Sequence, residues 1–295
     1  MAINAESALS PQETLLLQVS RKITSDFELE DTPGKPSRVD LAFKHHFRVP
    51  GQQTRPTLAI EAGQALRLDV HAAVSFAACI EALHNASLVQ DDLQDGALER
   101  RGQPTVHCLF GKDVALGLAT RLVTTAFVSL SSAGIGALGE SAVRRVHAAT
   151  RQTINGQSND LDPNADVSID SLLAMARQKS GPLFALALEL PLIAAGHPSD
   201  LDKAHEAACC LGLGYQIFDD LKDRAADSLQ MSDKNIVNAL SRQCNPNEAV
   251  CRAVEIAETE LMRAGQLADK LPAASGARLR IMADELLTHL RASRG

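Results

Sequence analysis

The chain has 295 residues, a formal net charge of -7 and only 3% aromatic residues, with no tryptophan. This composition argues against nucleic acid and anionic lipid as partners, because both attract basic surfaces and nucleic acid also favours aromatic stacking. Alanine and leucine, with 45 and 40 residues, are the commonest residues and the best helix formers, which predicts an all-α globular protein.

The sequence also bears on location. Residues 1–10 lack a basic segment followed by an apolar one, and no run of 18 consecutive apolar residues occurs. The six cysteines show neither CxxC nor Cys/His metal spacing, so we expect them to be reduced and buried. These features predict a cytoplasmic protein without a membrane span.

The predicted elements are helices separated by short breaks rich in turn residues. An amphipathic stretch at 14–27 precedes breaks at 31–37 and 49–56, and the segment 71–89 is apolar nearly all round, which is typical of a buried central helix. Further helical blocks follow at 112–130, 140–153, 168–179, 182–195, 204–218, 247–271 and 276–292. No strand-like alternation is sustained, so we predict one domain over 1–295 with about ten helices or more.

An acidic pentad occurs twice, as Asp91-Asp92-Leu93-Gln94-Asp95 and as Asp219-Asp220-Leu221-Lys222-Asp223. On a helix the first and fifth residues lie one turn apart on the same face. Each pentad follows an apolar helix, and carboxylates clustered near a core are stabilised by protons or by a cation such as Mg²⁺. One such pentad is more often a solvated face, but two copies at the ends of apolar helices favour a metal site.

Cationic residues follow the first pentad closely. The run Arg100-Arg101-Gly102-Gln103-Pro104-Thr105 begins nine residues after Asp91, and guanidinium groups bind phosphate oxygens in a bidentate way. Further cationic residues at predicted helix ends or breaks are Arg55, Lys179 and Lys234. Together with the acidic pentads they indicate a diphosphate site.

In these motifs the chain resembles the trans-isoprenyl diphosphate synthases, also called polyprenyl synthetases. The resemblance extends from about Gly51 to Leu240 and includes Gly156-Gln157 with Asp160-Leu161, Lys179-Ser180-Gly181 and Tyr215-Gln216-Ile217-Phe218. It implies a single-domain isoprenoid synthase fold with helices around a central cavity, where three Mg²⁺ ions bridge both pentads to an allylic diphosphate. The implied reaction ionises the C–O bond of this substrate, isopentenyl diphosphate attacks the allylic cation, and proton loss gives a chain longer by five carbons.

The resemblance also implies a role for each matching residue. Asp91 and Asp95 are expected to bind metal, with Asp92 supporting them. Asp219 is expected to bind the third ion, with Asp223 nearby. Arg100, Lys179 and Lys234 are expected to contact the allylic diphosphate. Arg55, His84 and Arg101 match the isopentenyl diphosphate site. Ser180 and Gln216 match positions that flank the reacting carbons.

The chain departs from the family pattern in three places. Gln52 stands where a lysine is expected to bind isopentenyl diphosphate, so this substrate is expected to bind more weakly. Ala119-Thr120 replaces a Gly-Asp pair, and Asn238 stands where proline is common. These changes indicate a divergent member of the family.

Product length in this family depends on the bulk of residues one turn before the first pentad. The residues there are Ala86 and Ser87, both small, and the pentad carries no two-residue insertion, so we expect a product of C20 or longer. Replacing Ala86 with Tyr or Phe should shorten the product. Beyond this level the product chain should next meet either Phe127 or Leu122, and the sequence does not decide between them.

Two other functions remain open from the sequence. A class I terpene cyclase usually has an Asn/Asp-rich second motif and aromatic rings that stabilise cations, whereas this chain has a second acidic pentad and few aromatic residues. A non-catalytic modulating subunit is expected to have lost one pentad, and both are intact here. The resemblance further implies a homodimer, for which residues 71–130 offer an apolar helical surface.

Overall fold

A computed structural model describes residues 9–28, 35–162, 164, 166–226 and 235–292, with the side chains of 223–226 outside the description. Within these ranges the chain forms twelve α-helices and one two-stranded hairpin. The helices are α1 Pro11–Phe27, α2 Arg38–His46, α3 Thr54–Ala65, α4 Val70–Asp95, α5 Val106–Phe110, α6 Lys112–Ser131, α7 Gly139–Leu161, α8 Ile169–Ala194, α9 Leu201–Ala226, α10 Ile236–Ser241, α11 Pro246–Ala268 and α12 Ala277–Ala292. The strands are β1 Glu99–Arg100 and β2 Gln103–Pro104, so the prediction of an all-α protein is confirmed.

The longest helices differ from their predicted bounds in an informative way. The predicted helices 168–179 and 182–195 are one helix, α8, with Pro182 and Pro191 inside it. A proline in a helix interior costs about 3 kcal/mol, because it removes one backbone hydrogen bond. Every residue of α8 from Gly181 to Ile193 is buried, and this burial outweighs the local cost and keeps the helix continuous.

The chain divides into two compact units. Unit 1 comprises the described residues of Met1–Ile60 and Asp69–Gly134, and unit 2 those of Glu61–Leu68 and Ile135–Gly295. The prediction of one domain over 1–295 therefore stays a prediction.

Unit 1 is built around α4, which packs against α6 and α1. The helix is buried on all sides from Ala72 to Leu83, as its composition predicted. Arg121 of α6 joins the other helices to this core: one guanidinium nitrogen lies 2.7 Å from Asp40 of α2, and the other donates to the carbonyl oxygen of Phe27 of α1 at 2.6 Å.

Unit 2 is a stack of long helices in which α8 packs against α7 and α9, α9 packs against α11, and α11 packs against α12. The short helix α10 packs against α11, α9 and α8. This order places the second acidic pentad, in the last turns of α9, within reach of α8 and α10.

Two helices are more apolar than the sequence interpretation allowed. By length and composition alone, α4 and α6 are long and apolar enough to cross a membrane. The apolar window of α4 is 83% buried within the chain, as in the core helix of a soluble protein, whereas that of α6 is 44% buried. The cysteine prediction is also partly wrong, because Cys108 and Cys251 are exposed.

Candidate active site

The first acidic pentad forms the last turns of α4. The helix ends at Asp95, and Gly96 follows in the left-handed conformation with its N–H bonded to the carbonyl oxygen of Asp92. Asp91 is partly exposed and Asp95 exposed, on the same face as the partly exposed Ser87 one turn earlier. The C-terminal end of a helix carries a partial negative charge, so these carboxylates stand where a cation is favoured.

Asp92 points away from this face and is only 3% exposed. Arg100 holds it with a fork of three contacts: Nε lies 2.9 and 2.8 Å from the two carboxylate oxygens, and Nη2 lies 2.7 Å from Oδ1. The structure therefore pairs two residues for which the sequence predicted separate roles, in metal support and in diphosphate binding.

The hairpin β1–β2 gives the Arg-Arg-Gly run a structural reason. Arg101 and Gly102 both have positive φ, 54° and 73°, between the paired residues Arg100 and Gln103. A two-residue turn with positive φ at both positions is a type I′ turn, which matches the twist of antiparallel strands and favours glycine. The sequence analysis missed this hairpin, because strands of two residues show no alternation.

The turn places the Arg101 guanidinium over Gly51. Its Nη1 donates to the carbonyl oxygen of Val49 at 3.0 Å, and a Cβ atom at Gly51 would overlap its Nη2. A larger residue at position 51 would require the flexible end of the Arg101 side chain to move. The two motifs that flank α4, around residues 51 and 101, are thus held together.

Arg55 and His84, both predicted to bind isopentenyl diphosphate, are also brought together. Arg55 Nη1 lies 3.4 Å from His84 Nε2. Burial lowers the pKa of His84 well below its usual range, and the positive charge of Arg55 lowers it further. The ring is therefore neutral and accepts a hydrogen bond from Arg55. Gln52 is exposed, at the end of the loop that precedes α3.

A buried polar chain that sequence analysis missed lies behind these residues. Asn85 donates from Nδ2 to Glu81 Oε1 at 2.8 Å, and its Oδ1 lies 3.0 Å from His46 Nε2. Burial raises the pKa of Glu81, while Asn85 and the charge of Arg55 oppose that shift. Burial lowers the pKa of His46 to about 4, so His46 is neutral at pH 7 and donates to Asn85. The four-residue spacing of Glu81 and Asn85 was the available clue.

In unit 2, close helix crossings at glycines position the predicted site residues. A Cβ atom at Gly156 of α7 would lie 2.7 Å from the backbone nitrogen of Lys179, and one at Gly212 of α9 would lie 2.9 Å from that of Gly181. Gly156 and Gly212 therefore allow these helices to approach closely. Each functional residue, Asp160 on α7 and Gln216 on α9, follows its glycine by one helical turn.

These crossings gather Lys179, Asp160, Gln216 and Asp220 around one cavity in unit 2 that opens to solvent. Lys179 Nζ lies 2.8 Å from Asp160 Oδ2, and Gln216 Nε2 donates to Asp220 Oδ1 at 3.1 Å. Sequence analysis gave no role to Asp160 or Asp220, although both belong to quoted motifs. Ser180 follows Lys179 and is partly exposed.

Other predicted positions complete the comparison with the sequence. Asp219 is partly exposed and Ala86 is 2% exposed. The side chain of Asp223 and the whole of Lys234 lie outside the described residues. Among the described residues, no three His, Cys, Asp or Glu side chains converge as a metal site.

Similarity to known proteins agrees with this geometry. Residues 36–263 match the polyprenyl synthetase family. The (2E,6E)-farnesyl diphosphate synthase of Mycobacterium tuberculosis is 36% identical over 174 residues, which span 58% of this chain and only 48% of that protein. The geranylgeranyl diphosphate synthase of Pseudescherichia vulneris is 32% identical over 235 residues, 76% of each chain.

A solved structure gives the fold the same assignment. The geranyltranstransferase of Thermotoga maritima superposes with a TM-score of 0.77 at 24% identity, covering 96% of this chain and 100% of that one. The chain belongs to the polyprenyl synthetase family.

Proposed function

We propose that the protein is a prenyltransferase that condenses an allylic diphosphate with isopentenyl diphosphate in a Mg²⁺-dependent, head-to-tail elongation. The observation that carries this proposal is the cavity of unit 2, where a lysine, an amide and two carboxylates meet among buried apolar residues such as Leu172. Family membership and the names of its relatives, farnesyl and geranylgeranyl diphosphate synthases, support the same reaction.

The donor set fits Mg²⁺. This ion prefers oxygen ligands and is usually held by one or two carboxylates, with water and phosphate oxygens completing its shell. Asp91 and Asp95 meet that need at the end of α4, and Asp219 is partly exposed on α9. We assign these three as ligands, with Asp223 beside Asp219, and three ions as the family expectation. Bound Mg²⁺ would stabilise the negative charge of the departing pyrophosphate.

The remaining steps fall to the chain itself. Lys179 is assigned to the allylic diphosphate and, with Lys234 and Arg100, balances charge as the C–O bond breaks and its electron pair leaves with pyrophosphate. Arg55, Arg101 and His84 hold isopentenyl diphosphate, whose double bond then attacks the allylic cation. Ser180 and Gln216 flank the reacting carbons, and the apolar wall excludes water that would quench the cation. Proton loss completes a product five carbons longer.

Product length, assembly and location extend the proposal. The small residues Ala86 and Ser87 support a product of C20 or longer.

A homodimer is supported by α6, because less than half of its apolar window is buried within the chain. Light scattering on the protein and on Leu116→Glu, an exposed position of α6, tests the dimer. We also propose a cytoplasmic location without a membrane span, tested by recovery in the supernatant after ultracentrifugation.

One incubation tests the reaction. The purified protein receives Mg²⁺, isopentenyl diphosphate and a C5, C10 or C15 allylic diphosphate, and products are identified by mass spectrometry. Elongated diphosphates support the proposal. Cyclic hydrocarbons would identify a terpene cyclase, and no product would favour a modulating subunit. Asp91→Ala and Asp219→Ala should abolish elongation, whereas Asp202→Ala, an exposed residue of α9, should leave it unchanged.

A further inference from the structure

The second aspartate of the second pentad, Asp220, is engaged by the protein itself. It is 7% exposed, and its two carboxylate oxygens have different partners. Gln216 Nε2 donates to Oδ1 at 3.1 Å, and the backbone N–H of Ile236 donates to Oδ2 at 2.8 Å. The backbone oxygen of Asp220 also accepts from Asn235 Nδ2 at 3.2 Å. One residue therefore contacts both a cavity side chain and the first residue of α10.

The chemistry of the carboxylate fixes the orientation of the Gln216 amide. An ionised carboxylate only accepts hydrogen bonds, so Gln216 must turn its NH₂ group towards Asp220. The Oε1 atom of Gln216 then points away from Asp220, and no donor among the described residues makes a hydrogen bond to it. Gln216 lines the same cavity as Lys179. The electronegative end of the amide dipole is thus the end left for a ligand.

The second contact fixes the start of α10. Ile236 is 1% exposed, so its N–H has no access to water and needs an acceptor from the protein. Asn235 caps the same helix through Asn238, whose N–H donates to Asn235 Oδ1 at 3.0 Å. Asp220 therefore ties the beginning of α10 to α9.

We propose that Asp220 is a positioning residue, which holds the amide oxygen of Gln216 away from itself and anchors α10, and that it is not a metal ligand. The inference about Gln216 deepens the proposed function and rests on it. The anchoring of α10 does not, because it concerns the protein without substrate or metal.

Two substitutions separate these contacts. In Asp220→Asn, the oxygen can keep the Ile236 N–H while the new NH₂ group donates to Gln216, which forces the Gln216 amide to reverse. Asp220→Leu removes both acceptors. Hydrogen exchange of the Ile236 amide, measured without Mg²⁺ or substrate, should accelerate about 10- to 100-fold in Asp220→Leu and stay within about threefold of the wild type in Asp220→Asn. Unchanged exchange in Asp220→Leu would overturn the anchoring role.

Kinetics test the amide orientation. Asp220→Asn should lower kcat about tenfold or more, while KM for both diphosphates and the half-saturating Mg²⁺ concentration stay within about twofold. The exchanged pair Asp220→Asn with Gln216→Glu again directs an oxygen away from residue 220, so it should recover most of the lost kcat. Asp202→Asn, exposed on the same helix, is the matched control. An exchanged pair no better than Asp220→Asn, or a raised Mg²⁺ requirement in Asp220→Asn, refutes the inference.

A spectroscopic readout keeps the inference separate from the proposed function. In the substrate-free protein, the side-chain ¹H–¹⁵N resonances of Gln216 should shift in Asp220→Asn and stay unchanged in Asp202→Asn. Absence of elongation by the wild type would refute the prenyl transfer, whereas an unshifted Gln216 resonance would refute the orienting role. Because Asp220→Asn preserves side-chain volume, this measurement remains decisive if Asp220→Leu fails to fold.

Discussion

Removing the Arg100 side chain should destabilise the protein through Asp92. The Asp92 carboxylate is 3% exposed and depends on the three short contacts of the Arg100 fork. Loss of one partner of a buried ion pair costs about 3–5 kcal/mol, because an uncompensated charge remains. The Arg100 side chain is 31% exposed, so water partly replaces it in the variant and reduces this cost. We expect Arg100→Ala to lower the free energy of unfolding by about 2–3 kcal/mol.

The structure supplies a matched control for this variant. Arg144 pairs with Glu140 on α7, where Nε and Nη2 lie 2.9 and 2.7 Å from the single oxygen Oε1, and the two side chains are 78% and 75% exposed. An exposed pair four residues apart on a helix contributes about 0.3–0.5 kcal/mol. The comparison of Arg100→Ala with Arg144→Ala therefore contrasts a buried arginine–carboxylate pair with an exposed one.

Urea denaturation at pH 7 without Mg²⁺ measures both variants, because the midpoint shifts with stability at constant slope. Asp92→Asn and the double variant complete a cycle, in which we expect a coupling of about 2 kcal/mol between the two side chains. The reasoning is refuted if Arg100→Ala costs no more than Arg144→Ala, or if the effects of Arg100→Ala and Asp92→Asn simply add.

Three further predictions concern the same elements. Because burial lowers the pKa of His46 to about 4, the folded protein excludes a proton that the unfolded chain binds below pH 6.5, so stability falls as the pH drops from 6.5 towards 4, by about 2 kcal/mol at pH 5. His46→Gln keeps a donor for Asn85 and should lack this loss in urea unfolding at pH 7 and 5; parallel losses would contradict it. Gly212→Ala should cost about 1–3 kcal/mol, because its Cβ meets the Gly181 backbone, whereas Gly139→Ala, which meets nothing within 4 Å, should cost nothing in the same assay. Ser87→Phe should shorten the product with little change in Tm, because Ser87 is partly exposed, while Ala86→Phe should shorten it and lower Tm, because Ala86 is 2% exposed. Unchanged product lengths by mass spectrometry would refute the assignment of both residues.

The sequence predicted the fold where periodicity and burial agree. The helix 71–89 was recognised because it is apolar all round, and it continues through the pentad to Asp95. The break predicted at Pro182 was wrong, because local propensity gives no measure of how deeply α8 is buried. Short elements such as α5 and α10 were missed, since five or six residues are too few for a periodic pattern.

The site shows a similar division. Motifs predicted which residue types gather, and Gly156 and Gly212 explain how their helices approach closely enough. Side-chain partners were beyond the sequence: Arg100 lies nine residues from Asp91 in the chain, and only the hairpin turn decides that it meets Asp92. The hydrogen bonds that connect Glu81, Asn85 and His46 likewise depend on tertiary packing.

In both pentads the first and second aspartates differ in burial, although the repeated sequence makes them look alike. Adjacent residues on a helix point about 100° apart, so two neighbouring aspartates cannot share one environment. In both pentads the first aspartate is partly exposed and the second is buried, Asp92 at 3% and Asp220 at 7%. A buried carboxylate needs donors, and the protein supplies them differently, as a guanidinium for Asp92 and as amides for Asp220.

This distinction separates two roles within each motif. A carboxylate that is buried within the protein is less accessible to a cation than one that is partly exposed. The first aspartates, Asp91 and Asp219, are therefore the better candidates for metal ligands. The second ones fix neighbouring structure, the hairpin of Arg100 in unit 1 and the start of α10 in unit 2. Replacing a first aspartate with alanine should accordingly abolish Mg²⁺-dependent elongation, and removing the hydrogen-bond acceptors of a second one should weaken the neighbouring structure.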